Sequence, residues 1–165
     1  MRNRAVTGGS MENEKASQET YIAEMKAMVD KAIMRMKNEN PEFVVFTVSI
    51  WTDRDAAVSA INFDSLENSV LNIKETNEWN AKYSFEPITG NRSTDPADFK
   101  LRNFEEITHA AIPPKWYSSL IKIGKYAFFE MIKELNIDRQ NFELGINSTK
   151  DWYAKTWNVD SLPKS

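Results

Sequence analysis

The stretch from Phe43 to Thr52 constrains the fold more than any other part of this chain. Val44, Phe46, Val48 and Ile50 alternate with Val45, Thr47, Ser49 and Trp51, β-branched and aromatic residues that suit a pleated surface better than a helix. Both faces of the run are largely apolar at its start, which expects a strand that is central or covered on both sides. Asp53-Arg54-Asp55 breaks the pattern and Ala56 to Phe63 resumes it. Two such runs joined by a short polar break read as a β-hairpin.

Helical periodicity brackets this hairpin. Tyr21, Met25, Met28, Val29, Ala32, Ile33 and Met36 recur at helical spacing, with Glu24, Asp30, Lys31 and Arg35 on the other side. The spacing predicts a helix from about Ser17 to Asn38, stopped by Pro41. Its methionines read as core, the alternative being an adaptable groove. After the hairpin, Asp64-Ser65-Leu66-Glu67 has the form of a helix cap followed by glutamate, and predicts a helix over about 65–82 carrying Leu66, Val70, Ile73 and Trp79, a surface helix by its polarity. Residues 115–135 are strongly apolar. Leu120, Ile121, Gly124, Ala127, Phe128, Met131, Ile132 and Leu135 form one stripe, and Trp116, Ile123 and Tyr126 a second. Two stripes expect a helix packed on two sides, or one with an adhesive outer face open to a homodimer.

Between these helices Pro87, Gly90, Asn91, Asp95 and Pro96 mark a long polar loop, of a length that is commonly functional or mobile. Phe104 to Ala110 reads as a short helix. Asn141 to Asn147 reads as a strand, followed by Ser148 or Thr149 capping a helical turn around Trp152. Trp157, Val159 and Leu162 read as irregular anchors. The expected class is α+β: a small antiparallel sheet built on the hairpin at about 43–63 plus a C-terminal strand, packed against three main helices.

One domain is expected over residues 11–165, since this length buries a sizeable core in a single unit. Residues 1–10, with Thr7-Gly8-Gly9-Ser10 ahead of Met11, read as a disordered leader or cloning remnant. The chain has no cysteine, which removes disulfides and thiolate metal sites and suits a reducing, cytoplasmic setting. No run of apolar residues is long enough to span a membrane. The formal net charge is −3, and −5 without Arg2 and Arg4. Such acidity argues against direct nucleic-acid binding and favours solubility or a basic protein partner.

The residues that carry chemistry are sparse. Nucleophilic catalysis usually pairs a nucleophile with histidine, and His109 is the only one. Asp53 and Asp55 flank the hairpin tip, where aspartate commonly bonds the turn's own backbone. Asp64 falls at the far end of the hairpin and cannot join them in a metal site. Asp98-Phe99-Lys100 and Glu143 make a thin case for a carboxylate-dependent enzyme. Five scattered glycines form no phosphate loop. No catalytic, cofactor or metal site is therefore expected. Interfaces favour aromatic anchors ringed by polar groups, so Trp51, Asp53, Asp55 and Trp152 are the expected partner-binding residues.

The segments Phe46-Thr47-Val48-Ser49-Ile50-Trp51-Thr52-Asp53 and Phe142-Glu143-Leu144-Gly145-Ile146-Asn147, with Asp151-Trp152-Tyr153 and Trp157 after them, carry a resemblance. Together with the order of elements, they resemble a group of small bacterial domains of unknown function related to immunity proteins of polymorphic-toxin and contact-dependent growth-inhibition systems. The resemblance implies a cytoplasmic monomer or homodimer that binds and neutralises a cognate toxin domain without catalysis. It carries no site residues across, because such families share none. The competing expectation is a regulatory or structural interaction domain with another partner, and after that a small carboxylate-dependent enzyme.

Overall fold

The hairpin forms around Asp53, whose carboxylate Oδ1 accepts hydrogen bonds from the backbone N–H groups of Ala57 (2.9 Å) and Val58 (3.0 Å). In this computed structural model, which describes residues 7–148 and 154–162, the strands are β1 (Thr47–Thr52) and β2 (Val58–Asp64). They pair from Thr47↔Asp64 to Thr52↔Ser59. Helix α1 (Thr7–Glu39) precedes them and begins ten residues earlier than the periodicity predicts. Then come α2 (Leu66–Lys82), β3 (Leu101–Thr108), α3 (Ser118–Glu134), β4 (Glu143–Ser148) and β5 (Ala154–Asn158).

The five strands form one sheet in the order β3-β2-β1-β4-β5. The α+β class holds, with the hairpin at the centre. The sheet is mixed rather than wholly antiparallel, because β4 runs parallel to β1 (Val48↔Leu144, Ile50↔Ile146). The cause is the crossover through α3, which carries the chain over the sheet and returns it in the starting direction. The bridge Val45↔Ile137 and the hydrogen bond from Asp138 N–H to the Val45 carbonyl (2.9 Å) begin this pairing before β4 proper.

Two other segments differ from the sequence expectation. Phe104 to Thr108 belongs to β3 and not to a helix. Alternation is hidden there because the inward position opposite Ile61 is Glu105, a carboxylate. A register shift between Ile61 and Phe63 adds to this, beside Asn103 with its positive φ of 48°. Trp157 is no irregular anchor but part of β5, opposite Leu144. The turn expected around Trp152 and the cap at Thr149 lie outside the described residues.

Helices α1 and α3 cover one face of the sheet. Met25, Met28, Met36, Val48, Ile50, Ile61, Phe63, Leu120, Phe128, Leu144 and Ile146 join in one core. Met25, Met28 and Met36 of α1 are thus core, whereas Met34 is exposed. On α3 both Leu120 and Ile123 are buried while Ile121 is exposed, so the two stripes are one broad buried face with an apolar remainder.

Glu105 ties α1 to the edge strand. Its side chain is 8% exposed and receives Arg35 Nη1 at 2.6 Å and Lys31 Nζ at 3.1 Å. Burial pushes its carboxyl pKa up, but the hydrogen bonds from Arg35 and Lys31 outweigh this and leave it below the ordinary value. A depressed folded pKa stabilises the fold above the unfolded value of about 4.3, and that contribution disappears as pH falls through the folded pKa. Glu105→Gln should therefore cost about 1–2 kcal/mol at pH 7 and flatten the acid side of the stability curve. Denaturant titrations from neutral to acid pH would measure it. A wild-type acid limb left unchanged in the variant would show that this cluster contributes nothing.

Candidate functional site

The face of the sheet away from α1 and α3 is polar and carries the long loop. Outward-facing Thr47, Ser49, Asn62 and Asp64 are all buried, where the loop from Arg92 to Lys100 meets them. Arg92 holds that loop down. Its guanidinium stacks over the Phe46 ring at 3.9 Å and donates to the Phe46 carbonyl at 3.0 Å, to the Asn141 carbonyl at 2.6 Å and to the Thr47 hydroxyl. Ser93 N–H donates to Ser69 Oγ at 2.6 Å. Clefts of about 240 and 250 Å³ open on either side of this strap, with Pro96 in the lining of both.

Helix α2 starts where Ser65, in extended conformation, accepts the Asn68 N–H on its hydroxyl (3.1 Å). The cap is Ser65 itself rather than Asp64. The helix faces inward with amides. Asn68 and Asn72 both donate to the Asp98 carbonyl (2.9 and 2.7 Å). Asn77 bonds both the N–H and the carbonyl of Ile88 (2.7 and 2.9 Å), and Asn80 the Glu86 carbonyl (3.2 Å). Ser69 and Ile73 are its buried residues. Helix α2 is thus fastened to the loop, and through the loop to the sheet.

As expected for a surface helix, Leu66, Val70 and Trp79 are exposed, as is Leu71, while Ile73 is buried. At the C-terminal end Trp79, Tyr83 and Phe85 are 54%, 52% and 57% exposed. Their rings associate: Trp79 and Tyr83 centroids lie 4.7 Å apart, Trp79 and Phe85 5.5 Å apart and stacked. Exposed Glu67, Glu75, Glu78 and Glu86 surround this surface against Lys74 and Lys82. The three rings in mutual contact are the contiguous part of this exposed apolar surface, of the kind that marks an interaction site. The sequence carries a signal in the four asparagines of α2, Asn68, Asn72, Asn77 and Asn80, although they are not spaced on a single stripe.

The expected partner-binding residues are dispersed by comparison. Trp51 is half-buried on the sheet's outer face and lines the 250 Å³ cleft with Asn62, Asp95 and Arg102. Asp53 is engaged by the hairpin turn, and Asp55 is exposed at its tip. Neither enters the lining of that cleft, and Trp152 lies outside the described residues.

His109 stands at the end of β3 in a sealed polar chain. The Ala110 carbonyl, 2.9 Å from Nδ1, can only accept, which assigns the proton to Nδ1. Nε2 then accepts from the Ser59 hydroxyl at 2.8 Å, whose oxygen lies 2.9 Å from Thr52 Oγ1. A hydroxyl–imidazole pair is present, but Ser59 and Thr52 have no exposed surface and the Tyr21 ring packs edge-on against the imidazole at 5.0 Å. The pair joins the hairpin to the segment after β3.

Asp64 is also fully buried. Oδ1 accepts from Asn68 Nδ2 (2.8 Å) and Lys100 N–H (3.0 Å), which links β2, α2 and the start of β3. Burial raises its pKa, against the pull of these donors. A raised folded pKa means the buried charge weakens the fold at neutral pH, and protonation relieves this as pH falls through the folded value. Asp64→Asn keeps an acceptor for both donors and removes the charge. It should be at least as stable as the parent at pH 7 in a denaturant titration; a loss above about 1 kcal/mol would show that the charge itself is needed.

Glu143 lies 3.6 Å from Arg92 Nε at the start of β4, and the Asp98 carbonyl serves α2. These carboxylates are dispersed, and among the described residues no three His, Asp or Glu side chains meet in a way that could hold a metal ion. Among the same residues no helix is long and apolar enough to cross a membrane. No family model matches this chain. No curated protein and no solved structure matches it either.

Proposed function

We propose that this chain is a non-catalytic binding protein of the immunity type, acting in the cytoplasm by covering a basic toxin domain through the outer face of α2. The observation that carries the reading is the exposed aromatic cluster at the end of α2. Trp79, Tyr83 and Phe85 associate with one another and face solvent, while the asparagines of the helix bond the loop. Such a cluster gains stability when a partner removes it from water. The surrounding glutamates select a cationic partner and speed its approach. The resemblance to immunity proteins supports the same reading, and the overall charge of −3 agrees with it.

The test is to capture the partner on the immobilised chain, purify it and measure binding by calorimetry, together with growth of cells that express the partner with and without this protein. A basic partner whose toxicity is suppressed, and whose affinity falls at least tenfold between about 0.05 and 0.5 M salt, supports the reading. Glu75→Lys with Glu78→Lys should weaken the complex by about tenfold or more without altering the melting temperature. A captured partner that is harmless to the cell, or one bound equally well by the charge-reversed variant, would sink it.

A further inference from the structure

Within that reading, on which this inference rests, the aromatic cluster at the end of α2 has a chemistry of its own. We infer that Trp79, Tyr83 and Phe85 form a receptor for an arginine side chain of the partner. Associated rings that stay more than half exposed offer π-faces on which a flat guanidinium can stack, with more contact than a compact ammonium makes. The surroundings favour positive charge twice over. Glu75 lies one helical turn before Trp79, Glu78 is its neighbour, and Glu86 adjoins Phe85. The cluster also sits at the C-terminal end of a 17-residue helix, where the helix dipole is negative.

The site already shows a cation on a ring. Lys82 Nζ lies over Tyr83 at 5.9 Å from the centroid, a long and exposed contact that an incoming side chain can displace. Elsewhere in the protein guanidinium groups take the closer form, with Arg92 over Phe46 at 3.9 Å and Arg35 over Phe104 at 4.2 Å. An arginine inserted between Trp79 and the acidic rim would satisfy its N–H donors on Glu75 and Glu78 while its plane covers the indole. That gives the interface an anchor which lysine fills less well.

The probe is a short arginine peptide, compared with the matching lysine peptide, titrated into the full isotope-labelled chain and followed by NMR. The indole N–H of Trp79, assigned by its loss in Trp79→Ala, should shift with the arginine peptide, and at least twofold less with the lysine peptide at equal concentration. Trp79→Ala should bind about tenfold more weakly while keeping the melting temperature of the parent, since the side chain is exposed. Equal affinity in parent and Trp79→Ala, equal response to both peptides, or shifts confined to other tryptophans would each overturn the arginine receptor. These outcomes leave the partner measurements untouched, so the anchor and the binding role fail separately.

Discussion

Phe128→Ala is expected to cost about 3–5 kcal/mol, the range for removing a fully buried aromatic side chain. Phe128 has no exposed surface. Its ring stacks on Phe142 at 5.4 Å with 8° between planes and meets Phe129 edge-on at 5.4 Å. The lost contacts cannot be recovered by collapse on the Phe142 side. That residue is pinned by its N–H to the Asp138 carbonyl at 2.9 Å and leads directly into β4. The loss includes about 0.5–1.5 kcal/mol for the stacked pair beyond area burial. Against a whole-domain stability of about 5–15 kcal/mol this is severe. Phe129→Ala next to it removes a partly exposed ring and should cost below about 1 kcal/mol. Urea unfolding followed by circular dichroism measures both, with an unchanged slope showing that only stability moved. Equal losses at the two positions would mean that α3 does not present the face described.

The central hairpin was legible because both its strands bury apolar residues at alternate positions and its turn carries an aspartate that bonds the backbone. Val48 and Ile50 on β1 face Phe63 and Ile61 on β2, and no tertiary contact is needed to see that pattern. Strand β3 was hidden for the opposite reason. Its inward residue is Glu105, which is tolerated there only because Lys31 and Arg35 arrive from a helix 70 residues earlier in the chain. A charge that is satisfied by a distant element reads locally as a surface position. The parallel pairing of β4 with β1 was beyond a local reading as well, since it depends on the path α3 takes over the sheet.

The candidate site followed the same division. Trp79 was visible as an aromatic residue in a polar segment, but the period of α2 was read from its apolar residues. The polarity of α2 marks it as a surface helix, and of Leu66, Val70, Ile73 and Trp79 only Ile73 is buried. Asn68, Asn72, Asn77 and Asn80 bond the backbone of the loop at Asp98, Ile88 and Glu86. Side-chain bonds of this kind have no periodic signature of their own. The cluster of Trp79, Tyr83 and Phe85 exists only once the chain turns at Ser84, whose φ is 61°. Expectation centred on Trp51 and the hairpin tip because acidic and aromatic residues are adjacent there in sequence. In the fold Asp53 is occupied by the turn.

Gly124→Ala should destabilise the protein by about 2 kcal/mol or more, although helix propensity alone predicts a gain of about 1 kcal/mol for alanine within a helix. Gly124 lies in the middle of α3 with Trp157 of β5 packed directly on it, so a Cβ there would fall far inside van der Waals contact with two carbons of the indole. On its other side the same Cβ would press on Ile146 of β4 at 3.2 Å. Overpacking of this kind costs about 1–3 kcal/mol when neighbours can shift, and more when a buried indole must leave its pocket. Among the described residues β5 is the sheet's edge and pairs only with β4. The strain should therefore be relieved by peeling β5 away, which exposes Trp157 and the amides of β4. Unfolding midpoints, indole emission moving to longer wavelength, and faster hydrogen exchange at Leu144 and Ile146 would report it. The deciding comparison is made with Trp157→Leu, which removes the obstructing ring atoms. In that background Gly124→Ala should lose most of its cost and approach neutral, because the propensity gain then opposes only the tight contact with Ile146. If alanine at 124 is equally harmful with and without the indole, the glycine is not there to admit Trp157, and the docking of β5 must rest on β4 alone.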